Sequence, residues 1–160
     1  DIKTLYDLGA PDTGRIAVEQ IYSDYRKGPR ARLDSLSYLA LKDLKVIDLD
    51  TARELTVVRE RGAQFAALDV PIVGDRQSAH LKITGTLAAP GYTLVGGELV
   101  FQRTLKGLRN TVVLPAGWEV SAVSQSGTIG TDRSGRAFVS LINLNAENNY
   151  KITIRAKRGA

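Results

Sequence analysis

The closing stretch of the chain constrains the fold most. Tyr150, Ile152, Ile154 and Ala156 alternate with Lys151, Thr153, Arg155 and Lys157, a two-residue period that puts one set on a core and the other in water. A helix would space its apolar positions three and four apart, so this is a half-buried β-strand. Residues 137–144 are apolar on both parities, Ala137, Val139 and Leu141 against Phe138, Ile142 and Leu144, which predicts a central strand covered on both faces. Asp132 followed by Ser134-Gly135 supplies a local backbone acceptor and a residue free to take positive φ, so residues 128–144 read as a hairpin. Ahead of it Trp118, Val120 and Ala122 point one way, and Pro115-Ala116-Gly117 separates them from residues 110–114.

The rest of the chain follows the same grammar. Ala79, Leu81, Ile83 and Leu87 alternate with His80, Lys82, Thr84 and Thr86, which turns His80 outward. Residues 92–95 and 98–105 flank Gly96-Gly97, a hairpin turn of the primed kind, with Leu99, Phe101 and Leu105 on the core side. Residues 15–25 are rich in Ile, Val and Tyr and read as a long strand. Residues 33–41 form a second run, and residues 44–49 and 55–58 pair around Asp50-Thr51-Ala52-Arg53. In residues 65–73, Pro71 withholds a backbone donor, so that segment is expected at an edge or in a packed loop. Residues 1–10 place Ile2, Leu5 and Leu8 at helical spacing, but a helix that short is marginal alone. Residues 1–14 are therefore expected to be an N-terminal tail or docking segment. About eleven strand candidates recur at sandwich-like intervals, and no interior helix competes. The expectation is an all-β, antiparallel β-sandwich of immunoglobulin-like architecture over residues 15–160, as one domain or two small β modules, with any sub-boundary at 106–110.

Composition narrows the function. Hydrophobic residues make up 43% and charged residues 24% of 160, which is globular rather than disordered, and no apolar run approaches the roughly 20 residues of a membrane-spanning helix. Cysteine is absent, which removes thiolate metal sites and cysteine nucleophiles. Methionine is absent too and the first residue is Asp1, so a processed product or an excised domain is expected. Twenty-two Lys and Arg against 17 Asp and Glu give a net charge of +5, which favours anionic surfaces. The basic residues lie in scattered pairs, however, as on solvated strand faces, and nucleic acid is not the expected partner.

The stretches IYSDYRKG, LDTARELTV, PGYTLVGGELVFQRTLKGLRNTVVLPAGWEV and DRSGRAFVSLINLNAENNYKITIRAKR together resemble a group of exported bacterial proteins. These carry a β-rich C-terminal region with an Arg-Asn-x-Val-x-Leu-Pro-x-Gly-Trp segment. The resemblance spans roughly residues 15–158 and is most specific at 109–118. Ala52 stands where the group's turn has glycine, and Ser126-Gly127 replaces a proline-containing pair. The resemblance implies export, to the cell surface, the periplasm or the medium, and a β-sandwich. It brings no catalytic residue with it.

Candidate chemistry is sparse. With one histidine in the chain, any His-dependent triad rests on His80, and Ser124 and Ser126 lack the nucleophile-elbow context. Asp48, Asp50 and Glu54 could offer hard oxygen ligands, but their spacing is not that of a calcium loop and turn capping explains them. Asn143, Asn145, Glu147, Asn148 and Asn149 are read in the same way, as turn formers. Asp24, Glu98 and Glu119 are the carboxylates that a glycosidase would have to bring together across a cleft. Trp118, Tyr92, Arg103 and Arg109 could form an aromatic, basic interaction surface, although the alternation around Trp118 also fits burial. The expected function is a non-catalytic structural or interaction module without cofactor or metal. Its partner would be another domain of the same assembly, a second copy, or an anionic surface polymer. The alternative is a carbohydrate-binding or accessory domain of a cell-surface enzyme.

Overall fold

A computed structural model describes residues 2–24, 30–32, 40–72, 78–88, 91–145 and 149–160. The protein is all-β: among the described residues there is no helix and there are fifteen strands. In chain order they are β1 (Ile2–Leu8), β2 (Arg15–Asp24), β3 (Arg30–Arg32), β4 (Lys42–Asp48), β5 (Arg53–Leu55), β6 (Val57–Glu60), β7 (Ala63–Ile72), β8 (Ala79–Ala88), β9 (Tyr92–Val95), β10 (Glu98–Leu105), β11 (Arg109–Val113), β12 (Trp118–Val123), β13 (Thr128–Thr131), β14 (Ala137–Ile142) and β15 (Tyr150–Arg158). The chain divides into two compact units, one of Asp1–Ile2 and Val18–Leu87, the other of Lys3–Ala17 and Ala88–Ala160. The expected sub-boundary at 106–110 lies inside the second unit, where it only turns the chain from β10 into β11.

The second unit is a two-layer sandwich. One layer runs β13-β14-β11-β1 and the other β12-β15-β10-β9. Period-two burial supplies the core: Tyr6, Leu8, Val112, Val139 and Leu141 from the first layer, and Tyr92, Leu99, Phe101, Leu105, Ile152, Ile154 and Ala156 from the second. Phe101 is fully buried at its centre, 6.2 Å from the ring of Tyr6 and 6.4 Å edge-on from Tyr92. Burying one such ring stabilises the fold by about 1.5–3 kcal/mol, and edge-to-face pairing adds to it. The Gly96-Gly97 turn has φ of 59° and 81°, as a primed hairpin requires.

Four sequence expectations change here. Residues 2–8 form a strand rather than a tail or helix: Thr4, Tyr6 and Leu8 are buried in alternation, and β1 pairs in parallel with β11 from Lys3 opposite Arg109 to Asp7 opposite Val113. Parallel pairing also means that the sandwich is not purely antiparallel. Arg136 fastens this strand, donating to Leu114 O at 2.8 Å, to both Asp7 carboxylate oxygens and to Leu8 O. A register shift between Val120 and Ala122 breaks the alternation of β12, so Trp118 is buried while Ala122 is exposed. On β14 one face is covered, with Val139 and Leu141 buried, but Ile142 is 62% exposed and Leu144 beyond it 93%.

The first unit has an aliphatic core of Val18, Leu41, Val46, Leu55, Ala66, Ala79, Leu81, Ile83 and Leu87. β4 pairs antiparallel with β8 and with β5. The turn between β4 and β5 is capped by Asp48, whose Oδ1 accepts from Asp50 N at 2.8 Å and Thr51 N at 3.2 Å. Ala52 there sits at φ 58°, a left-handed backbone that costs a side-chain-bearing residue about 1–2 kcal/mol. A three-stranded sheet runs β3-β7-β6. β7 is therefore the middle strand, not an edge, and Pro71 is accommodated where the register between β3 and β7 jumps from Arg32 opposite Ala67 to Arg30 opposite Ile72. β2 is an interior strand of its sheet. Most of the expected run 33–41 lies outside the described residues.

Candidate functional site

The aromatic and basic surface expected from Trp118, Tyr92, Arg103 and Arg109 does not form. Trp118 and Tyr92 are 5% and 2% exposed, because both fall on core-facing positions of the second unit. Trp118 lies beneath the guanidinium of its cross-strand neighbour Arg158, 5.0 Å from the ring centroid. Tyr92 donates its hydroxyl to Gly9 O at 2.5 Å, and burial pushes its phenol well above the usual tyrosine range. Arg103 shares the inward face of β10 with Leu99, Phe101 and Leu105, its guanidinium 5.6 Å from the Tyr6 ring. Only Arg109 is exposed.

The carboxylates are committed to structure. Arg155 and Ser121 hold Glu98 at 3.0 Å each and keep its carboxyl below the ordinary glutamate value. Glu119 pairs across to Lys157 on the outer sheet layer, and the side chain of Asp24 lies outside the described residues. Asp132 organises its turn, its Oδ1 accepting from Ser134 N, Ser134 Oγ and Arg136 N at 2.8, 2.6 and 3.0 Å. Glu60 pairs with Arg32 at 2.6 Å, Glu54 with Lys45 at 3.1 Å and Glu19 with Lys82 at 3.0 Å. Among the described residues no three His, Cys, Asp or Glu side chains converge to hold a metal ion.

His80 does acquire partners that the sequence concealed. Ser78 Oγ lies 3.3 Å from its Nε2, and both Asp50 oxygens lie 3.1 Å from its Nδ1. The order Ser-His-Asp is that of a hydrolytic triad. However, Asp50 is 59% and His80 35% exposed, and developing charge is stabilised strongly only where water is excluded. The arrangement works as a clasp from β8 to the β4–β5 turn, beside the bond from Leu49 N to His80 O at 2.8 Å.

The concave sites among the described residues include one in each unit. In the first unit, an open depression of about 660 Å³ is lined by Arg32, Glu60, Arg61, Ala63 and Phe65. Arg32 and Glu60 already pair there, and Arg32 also stacks on Phe65 at 4.4 Å. In the second unit, a cavity of about 310 Å³ is lined by Gln125, Ser126, Leu141, Ile142, Asn143, Leu144, Asn145 and Tyr150. Its walls are pinned. Ser124 N donates to Thr153 O at 2.9 Å, and Ser124 Oγ accepts from Thr153 N at 2.8 Å. Gly127 passes so close to β14 that a Cβ would sit 2.8 Å from Ser140 O. Asn143 N donates to Leu108 O at 2.8 Å, and Asn143 Oδ1 accepts from Asn145 N at 3.1 Å. Tyr150 is backed by the buried Asn110, whose Nδ2 donates to Tyr150 Oη at 3.3 Å and Lys106 O at 3.1 Å. Burial raises the Tyr150 phenol above its ordinary value, so it stays protonated. Sequence reading placed Tyr150 with the core and Asn143 and Asn145 in a turn. The missed signal is the interleaving of Asn143 and Asn145 with Ile142 and Leu144, apolar residues that run past the end of the buried strand.

No protein-family model and no curated protein matches the sequence. Solved structures do match. An M1 zinc metallopeptidase from Deinococcus radiodurans superposes with a TM-score of 0.58 at 12% identity, over 98% of this chain and 41% of that one. An aminopeptidase N family protein from Idiomarina loihiensis superposes with a TM-score of 0.55 at 11% identity, over 96% of this chain and 29% of that one. The chain therefore spans less than half the length of either, and at such identity what the proteins share is a fold.

Proposed function

We propose that this chain is a non-catalytic β module of an exported bacterial protein, serving packing, assembly or surface association beside other domains. The observation that carries the reading is that the fold recurs as a minor part of longer zinc peptidases. Among the described residues Asp7, Asp48, Asp50, Asp132 and His80 meanwhile work as caps and clasps. Accessory service to an enzyme fits the same likeness. Export follows the sequence resemblance and remains part of the proposal.

Light scattering coupled to size-exclusion chromatography tests the assembly claim on the intact chain, because cutting residues 1–14 would remove β1 from the sandwich. The expected result is concentration-dependent association, or a complex with an adjoining domain added in trans. A monomer at every concentration that binds no adjoining domain would contradict it.

A further inference from the structure

The cavity at the end of the second unit is a built, uncharged site. Five of its eight lining residues are polar and neutral, three side-chain amides (Gln125, Asn143, Asn145) and two hydroxyls (Ser126, Tyr150), and the other three are Leu141, Ile142 and Leu144. An amide presents a donor and an acceptor side by side, the spacing that neighbouring hydroxyls of a sugar ring require. Because Asn110 Nδ2 donates to the Tyr150 oxygen, the Tyr150 hydroxyl proton is left to donate elsewhere. Aliphatic side chains beside these groups can cover the C–H face of a ring, and Ile142 and Leu144 are well exposed. At about 310 Å³ the site lies at the small end of ligand pockets, a size for one sugar unit rather than a long polymer. A buried acceptor, Asn110 Oδ1, has no hydrogen-bond partner among the described residues and lies one hydrogen bond behind the wall. That polar end is held by the cavity's own tyrosine and not by a sealed apolar core.

We propose that this cavity binds one unit of a neutral glycan, through the amides of Gln125, Asn143 and Asn145 and the hydroxyls of Ser126 and Tyr150. The claim rests on the surface-association part of the function above and names its ligand. It relocates carbohydrate recognition from Trp118 and Tyr92, which are buried, and from anionic to neutral chemistry, because among the described residues no ionised side chain lines the cavity.

The test is amide chemical-shift mapping on the intact chain, titrated separately with neutral β-1,4-linked glucose and N-acetylglucosamine hexasaccharides, with heparin, and with an uncharged apolar hexapeptide. One neutral glycan is expected to give saturable shifts at residues 125–126, 141–145 and 150. Gln125→Ala with Asn145→Ala should weaken it at least tenfold, and Tyr150→Phe should weaken it while leaving the thermal midpoint near that of the parent. The absence of saturable shifts with both neutral glycans would overturn the proposal, as would binding of the peptide or heparin at these residues instead. Either result leaves the assembly claim standing, because the chromatographic test does not depend on the cavity.

Discussion

The two units are built from the same kind of strand but hold their interiors together differently. The second packs Tyr6, Tyr92, Phe101 and Trp118 into one core and then satisfies the polar ends of those rings, Tyr92 on Gly9 O and Tyr6 against Arg103. The first buries aliphatic and alanine side chains and one amide, Gln20, among its described core residues, and carries the His80–Asp50, Lys45–Glu54 and Arg32–Glu60 pairs on its surface. Exposed ion pairs are each worth about 0–1 kcal/mol, whereas a buried aromatic with its hydrogen bond is worth several times that. The lesson is that the unit carrying the neutral cavity is also the one with the more specific interior, as a preorganised binding site requires.

Core truncation should show the contrast most strongly. Phe101→Ala removes a fully buried ring with two aromatic neighbours and should cost about 3–5 kcal/mol. Hydrogen exchange is expected to lose protection first across β9, β10 and β15. Equal loss across β4 and β8 would erase the distinction between the units. Next comes Arg136→Ala, which leaves the buried Leu114 carbonyl and the end of β1 without their donor. A cost of about 2 kcal/mol is expected in thermal denaturation, and a cost under about 0.5 kcal/mol would show that the latch is dispensable.

Alkaline pH bears on the second unit through its buried phenols. Burial raises the phenols of Tyr6, Tyr92 and Tyr150 in the folded state, while the unfolded chain releases those protons near about pH 10. Their stabilisation is therefore complete below about pH 10 and is lost as pH climbs through the raised native values. The share of tyrosinate absorbance at 295 nm that comes from these three of the six tyrosines, isolated by Tyr→Phe variants, should rise together with the loss of β10 and β15 protection. Ionisation of these three at ordinary phenol pH in the native protein would break the argument.

Smaller effects belong to the first unit. Ala52→Gly relieves the left-handed backbone at φ 58° and should raise stability by about 0.5–1 kcal/mol, seen as a higher denaturation midpoint. A lower midpoint would show that the turn is not strained. Asp50→Asn should cost less than about 1 kcal/mol, because the clasp to His80 is exposed.

Local chemistry made much of this legible in the sequence. The β15 alternation, the Gly96-Gly97 turn and the Asp132-Ser134-Gly135 turn are decided by residues next to one another, and the structure keeps each. β1 was illegible because its partner, β11, lies far down the chain, and parallel pairing leaves no turn signal between the two. Pro71 pointed to an edge because a proline breaks a ladder, yet a jump in register lets β7 run through the middle of its sheet. The cavity was hidden because its walls come from the 125–126 connection, the end of β14 and the first residue of β15, which only the fold brings together. Trp118 and Tyr92 drew attention as large aromatics, and burial removed both from the surface.

The proposal that the chain recognises and packs but does no chemistry is tested most directly by assaying the purified intact chain, with zinc added, on amino-acid p-nitroanilides. The expected result is release of nitroaniline no faster than in buffer with zinc alone, across the common side-chain classes. Turnover that scales with chain concentration and is abolished by a chelator would contradict it.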